Sequence, residues 1–298
     1  MNRFAAAILA LFLCVAAGAN GKHPRPKILG IASVHFYTTN LPAARTFYSQ
    51  IIDPKIACVM CEEHALDPIN IALPSGQELT FTPANGAPPS NLLAEVVFAT
   101  EDVNAMRDYL ATNRIAVKKS KDAIDSELSV VDPEGHRIGF MQVPKSGWSP
   151  SNTDALRVIH AGFVVKGRAA ADHFYKDILG FRPYWHGGMK DDKDDWVAMQ
   201  VPDGTDWIEY MLNISPNADH HTLGVMNHIA LGVTDIHATE KQLIANGWKP
   251  TEEPKLGRDG KWQLNIYDPD DTRTEFMEFK PKEAPCCSAF TGPHPGPR

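Results

Sequence analysis

Two histidines and two glutamates recur at matched places in the second half of the chain. His160 lies in the strand-like run Val158-Ile159-His160-Ala161-Gly162-Phe163, and His228 takes the same place in Met226-Asn227-His228-Ile229-Ala230-Leu231. Glu209, in Trp207-Ile208-Glu209-Tyr210, is matched by Glu275, in Arg273-Thr274-Glu275-Phe276. Side chains alternate across a strand, so His160 shares its face with Gly162, and His228 with Ala230 and Gly232. Small neighbours beside an imidazole leave room for a metal, its waters and a substrate. Two imidazoles and two carboxylates suit one divalent ion with open positions, such as Fe, Ni, Co, Zn or Mn. A small substrate with two neighbouring oxygens fits those positions, where the metal stabilises an enediolate or binds dioxygen beside it. A single strand histidine is more often packed than metal-bound; four chelating side chains on four equivalent positions set this group apart. Glu278 is close in sequence, but its parity places it on the opposite face.

The elements that must hold these residues repeat. Four segments, starting near Gly30, Leu92, Val158 and Val225, each begin with an alternating strand, pass through a helix and end in strands joined by a Pro/Gly turn. The helices carry an apolar stripe, as in Val103, Met106 and Leu110 or Ile236 and Leu243, behind capping residues at Thr100 to Asp102 and Thr234-Asp235. Phe47-Tyr48 and Phe174-Tyr175 mark the odd segments. Leu73-Pro74-Ser75-Gly76 matches Val201-Pro202-Asp203-Gly204, and Val131-Asp132-Pro133-Glu134 matches Tyr267-Asp268-Pro269-Asp270. Glu275 follows Asp268 of the last turn by seven residues. The chain therefore reads as a tandem duplication of a two-module unit, of α+β class. Its expected parts are residues 28–144, a linker rich in Pro, Ser, Gly and Asn, residues 156–281, and a Pro-rich tail over 282–298. In the first half the same alignment puts Ser33, Phe81, Glu95 and Gly139 where the second half has its chelators, so that half has lost the site. His35 shares the face of Ser33.

Paired βαβββ modules, a first-strand histidine in each of two modules and a glutamate seven residues after an Asp-Pro turn resemble the vicinal-oxygen-chelate superfamily. That superfamily includes glyoxalase I, extradiol dioxygenases and bleomycin-resistance proteins, and the resemblance runs from about Gly30 to Phe279. It implies that paired modules curl into an open cup with the metal inside, held by His160, Glu209, His228 and Glu275. The full His, Glu, His, Glu set is similar to metal-dependent glyoxalase I, in which a ligand carboxylate also moves a proton; Glu209 or Glu275 would then be the base. One intact half behind a degenerate one is similar to the two-domain extradiol dioxygenases. Their signature Tyr before the Asp-Pro turn is replaced here by Asn265, and Leu256 to Asp259 contains no histidine. The resemblance thus implies a lyase or isomerase, with an extradiol-type Fe(II) dioxygenase and a metal-free drug-binding cup as alternatives.

Composition limits the partners. A formal charge of −7 supplies no cationic surface for nucleic acid, and no interior stretch is long enough to cross a bilayer. A small-molecule substrate is expected, with the chain a monomer or homodimer. Asn2-Arg3, the apolar run Phe4 to Ala17 and Ala17-Gly18-Ala19 form a secretory signal over residues 1–19, which implies an exported protein. Export leaves Cys58, Cys61, Cys286 and Cys287 for disulfides, with the pairing open. His186, Trp196 and Trp207 are candidate pocket residues, Lys190 to Asp195 a charged hairpin, His220-His221 a solvated turn, and Asn213-Ile214-Ser215 a glycosylation sequon.

Overall fold

The computed structural model describes residues 24–52, 68–118, 127–143 and 156–297. The N-terminal signal-like segment, Cys58 and Cys61 fall outside them. Among the described residues no helix is long and apolar enough to cross a membrane.

Each half of the chain builds one mixed sheet. The first sheet runs β2-β3-β1-β4-β6-β5, with β1 Ile28–Thr38, β2 Ile69–Ala72, β3 Glu78–Pro83, β4 Leu93–Thr100, β5 Leu128–Val131 and β6 Arg137–Gln142. The second runs β12-β13-β14-β11-β7-β10-β9-β8, with β7 Arg157–Val164, β8 Arg182–Gly187, β9 Trp196–Gln200, β10 Trp207–Met211, β11 His228–Val233, β12 Lys255–Leu256, β13 Trp262–Tyr267 and β14 Arg273–Glu278. In every module the first strand pairs parallel with the last, and the two modules of a half meet through an antiparallel pair, β1 with β4 and β7 with β11. Parallel neighbours need a crossover, which the helices supply. These are α1 Leu41–Ile51, α2 Val103–Thr112, α3 Arg168–Asp172, which widens into π-helical turns over His173–Ile178, and α5 Ile236–Ala245. The fold is thus α+β with paired βαβββ modules, complete in the third and fourth.

Capping chemistry sets the helix starts. Asp102 accepts from the Ala105 N–H and Asp235 from the Ala238 N–H, both at 2.9 Å. His220 and His221 open a further helix, α4 His220–Met226, because the Asp219 side chain accepts from the Thr222 N–H. This corrects the turn expected there.

The two halves exchange equivalent hydrogen bonds. Tyr48 of α1 donates to Asp268 in the last turn at 3.1 Å, and Tyr175 donates to Asp132 in the matching turn at 2.9 Å. The Val158 N–H donates to Gln77 at 2.8 Å, while the Ile31 N–H donates to Asp206 at 3.0 Å. Each donor and acceptor has its counterpart in the other half, so the duplication extends to the contact between the halves. One buried apolar cluster, with Phe98 edge-on to Phe181 at 5.3 Å, runs through both.

Burial pushes the Asp268 carboxyl up from 3.8 to about 6, with Asp270 adding to the effect and the N–H groups of Thr272 and Asp270 opposing it. The folded chain therefore holds this proton more tightly than the unfolded one. The stability it contributes is complete below about pH 4 and is lost as pH rises through about 6. Asn, neutral throughout, removes that dependence. The melting temperature of Asp268→Asn minus that of the wild type should therefore increase between about pH 4.5 and about pH 7; a flat difference across that range would show that Asp268 does not titrate in this way.

Candidate metal centre

His160, Glu209, His228 and Glu275 come from β7, β10, β11 and β14, which are four adjacent strands in the middle of the second sheet. Strand register sorts them into two neighbouring rows. In one, Gly162 of β7 stands between His228 and Glu209; in the other, Ala230 of β11 stands between Glu275 and His160. A small residue thus separates the two chelators in each row, and the four side chains lean together over it. A Cβ on Gly162 would lie 2.1 Å from Cε1 of His228, so only glycine lets that ring lie down over β7. Gly232 has a different use: its missing Cβ makes room for Phe279 and Ile159.

Ligand atoms of His160, Glu209 and His228 all lie within 4.8 Å of one another, a group that suits one ion, with Glu275 flanking it. The two Nε2 atoms are 3.1 Å apart. A Glu275 oxygen lies 3.5 Å from the Nε2 of His160 and 3.7 Å from that of His228, and a Glu209 oxygen lies 3.9 and 3.6 Å from the same atoms. Ligands at about 2.0–2.2 Å from a metal stand roughly 3–3.6 Å from one another, so the cradle is close to the required size and slightly wide at Glu209. His228 Nδ1 lies 3.1 Å from the Met226 carbonyl. A proton on Nδ1 would be donated there, turning the Nε2 lone pair toward the other chelators. Burial, then the charges of Arg273 and His160, hold His228 well below its ordinary 6.5, in the neutral form a metal requires. Among the described residues the other cluster with metal-binding atoms joins Asp191 to Cys286 and Cys287, but those sulfurs are bonded to each other in a disulfide.

The two carboxylates differ. For Glu275, burial acts upward but is outweighed by the hydrogen bond with His160 and the charges of Arg273, His160 and Lys261, leaving it below 4.5. For Glu209 burial prevails, helped by Glu275 and Asp259, and the group lies above 4.5. Glu209 is also the most accessible of the four, with 14% of its side chain exposed against 3% for Glu275 and none for either histidine.

Beside the cradle is a cavity of about 110 Å³, walled by Trp196, Trp207 and Tyr184 and by Arg258, Lys261 and Arg273, with Glu209 and Glu275 at its side. Trp196 and Trp207 fall where the sequence places them. His186 does not: it is half exposed and paired with Asp194 at 2.7 Å. The charged hairpin reaches the rim, since Asp191 pairs with Arg258. Asn213 uses its amide to bind the Asp194 carbonyl and the Asp195 carboxylate. Glu278 stays away from the cradle and accepts from the Ile236 N–H at the start of α5.

Sequence periodicity missed the cations. Arg273 precedes Glu275 by two residues, so its side chain is on the same face, and its NH2 is 2.6 Å from Nε2 of His228. One lone pair cannot serve both Arg273 and a metal. Lys261 is fully buried, 4.4 Å from the Trp207 ring centre. The tail was also missed. It is laid along β8, where the Thr291 N–H donates to Tyr184 and Trp185 donates to the Cys286 carbonyl, and it delivers Phe290 to the cavity.

Residues 157–276 match the family model of the Glyoxalase/Bleomycin resistance protein/Dioxygenase superfamily. The match lies within the second of the two halves. Lactoylglutathione lyase of Haemophilus influenzae is 28% identical over 127 residues, spanning 42% of this chain and 94% of that enzyme. A variant of homoprotocatechuate 2,3-dioxygenase from B. fuscum, solved with HPCA, aligns with 86% of this chain and 72% of its own at 20% identity and a TM-score of 0.63. An anaerobic substrate complex of homoprotocatechuate 2,3-dioxygenase from Brevibacterium fuscum, with 3,4-dihydroxyphenylacetate, aligns with 86% of this chain and 82% of its own at 20% identity and a TM-score of 0.61. At that identity the likeness to the dioxygenases is one of fold.

Replacing Gly162 with Ala should force the His228 ring off the cradle. Divalent-ion affinity, measured by competition with a chromogenic chelator, should fall roughly 10–100-fold, the range typical for disturbed ligand orientation. Unchanged affinity in a folded Gly162→Ala protein would mean that His228 does not need this seat.

Proposed function

We propose that the chain is a divalent-metal enzyme that moves a proton next to a carbonyl in a small substrate with two vicinal oxygens, a lyase or isomerase reaction. The observation that carries this reading is the position of Glu209. It is the fourth chelating side chain, the most accessible one, and it lines the cavity. A carboxylate placed between the metal cradle and the substrate space can act as a general base and then as an acid.

A divalent ion held by His160, His228, Glu209 and Glu275 would supply Lewis-acid stabilisation of negative charge on a substrate oxygen. The chain's own groups do the rest. Glu209 takes the proton from the carbon beside the carbonyl and returns it to the neighbouring atom. Glu275, kept ionised by Arg273 and Lys261, stays a ligand. Trp207, 4.8 Å from the His160 ring, covers the cradle and keeps bulk water from the developing charge. The named activity of the Haemophilus influenzae relative supports a lyase. Asn265 is buried opposite Glu275, and the segment before it brings Arg258 and Asp259 to the cavity. Neither place holds the Tyr or His that ring cleavage of a catechol calls for.

Elemental analysis of purified protein should find about one metal per chain and its loss in His228→Ala. With metal retained, Glu209→Gln should slow deuterium exchange at the carbon beside the carbonyl of small α-hydroxyketones by about 10²–10⁴-fold. Metal binding with oxygen consumption on catechols and no carbon exchange would overturn the lyase reading in favour of a dioxygenase, and no metal in either protein would leave a binding cup.

A further inference from the structure

The cavity contains a buried cation that neither the metal cradle nor the proton transfer uses. Lys261 stands just after the turn that joins β12 to β13, is fully buried, and points its ammonium among three rings: Trp207 at 4.4 Å, Phe290 at 5.2 Å and Tyr184 at 5.4 Å. The rings stabilise a positive charge, each weakly, but accept no strong hydrogen bond. An ammonium carries three donors. It donates a long, weak hydrogen bond to the Met277 thioether at 3.9 Å and stands 3.9 Å from an Asp259 oxygen, beyond good hydrogen-bond reach. A buried charge without full hydrogen bonding is costly, so this position calls for an acceptor from the cavity.

The charges around the cavity say what kind of acceptor. Its lining has three acids, Glu209, Asp259 and Glu275, and three cations, Arg258, Lys261 and Arg273. The protein groups balance, and a divalent ion in the cradle leaves two positive charges in excess. Arg258 is engaged at the rim with Asp191, and Arg273 lies against the chelator His228, so the cation set apart from the cradle, with only weak partners, is Lys261. The aromatic wall suits a planar body, and Trp207 adjoins both ends of the space, 4.4 Å from the Lys261 ammonium and 4.8 Å from the His160 ring.

We propose that Lys261 binds a carboxylate on the substrate, so that the enzyme acts on a small, flat carboxylic acid whose opposite end carries the two vicinal oxygens. This rests on the metal-dependent function proposed above. The aromatic rings hold the lysine charged in place, the substrate carboxylate completes its hydrogen bonds, and the distance between lysine and cradle selects the length of the acid. The tail takes part through Phe290.

Two hydroxypyranones test this directly: comenic acid, with a ring carboxylate, and kojic acid, which has the neutral hydroxymethyl group at the same position and the same vicinal oxygens. Binding to nickel-loaded full-length protein would be followed by tryptophan quenching. Comenic acid should bind the wild type at least about tenfold more tightly, a difference of about 1.4 kcal/mol. Replacing a buried charge by an apolar side chain of similar length is often tolerated, so Lys261→Met should fold and, at saturating nickel, bind comenic acid no more tightly than kojic acid. A Lys261→Met protein that keeps the preference would overturn the proposal. Should that variant not fold, equal affinity of the wild type for comenic acid and its amide would overturn it instead. Failure of the wild type to retain nickel at all would sink the metal reading, and this outcome is separate from a nickel-loaded protein that ignores the carboxylate.

Discussion

Gathering two imidazoles and two carboxylates at one point of a buried sheet carries an electrostatic cost that the surrounding residues must offset. Three of the four side chains are almost entirely shut off from water, where an uncompensated carboxylate is destabilising by several kcal/mol in order of magnitude. The neighbours answer this in kind. Arg273 and Lys261 lie close enough to pull Glu275 toward its anionic form, and Arg273 helps keep His228 neutral. The sheet answers it in shape, since Gly162 and Ala230 separate the chelators of each row. Strand order then follows from need: only the four central strands can present four side chains on one face within reach of a single ion.

The first half of the chain keeps the fold with other side chains at the matching places. Its core repeats that of the second half, with Tyr48 against Phe81 where the other half has Tyr175 against Tyr210. Its sheet no longer carries the chelating set. The half remains tied to the cradle all the same. Tyr48 bonds the Asp268 carboxylate, whose other oxygen takes the N–H groups of Asp270 and Thr272, and Thr38 bonds Asp270. That turn feeds directly into Arg273 and Glu275. The first half thus fixes the entry of the strand that brings one chelator to the cradle in the second.

Much of this was legible in the sequence because alternation is a strict rule within a strand. Parity alone put His160 with Gly162, and the repeat put His228, Glu209 and Glu275 in the matching places. The same rule failed by one residue in β3. Register pairs His35 with Thr80, as it pairs Gly162 with Glu209, so Thr80 is the counterpart of Glu209 and Phe81 that of the core residue Tyr210. The turn before β3 differs in length from the one before β10, and no sequence pattern marks the slip. Ser33, Glu95 and Gly139 do match by register. Lys261, Arg258 and Arg273 went unnoticed for another reason: a lysine or arginine near a turn reads as solvent-facing, and the rings that bury Lys261 come from three separate parts of the chain. The tail, rich in proline, gave no periodic signal, yet its hydrogen bonds to β8 and β9 hold it in place.

The cradle has a local two-fold pattern that its walls break. His160 and His228, Glu209 and Glu275, Gly162 and Ala230 are pairs related by the repeat. By the same register Trp207 stands beside His160 and Arg273 beside His228. One imidazole therefore lies 4.8 Å from an indole and the other is hydrogen-bonded by a guanidinium. A cradle with identical walls would accept a chelating ligand equally in either direction. With an aromatic wall backed by Lys261 on one side and a bare guanidinium on the other, the two directions differ in both shape and charge, and only one of them brings a given carbon of the ligand next to Glu209. The duplication supplies the chelators, and the departure from it would supply the orientation that the proton transfer proposed above requires.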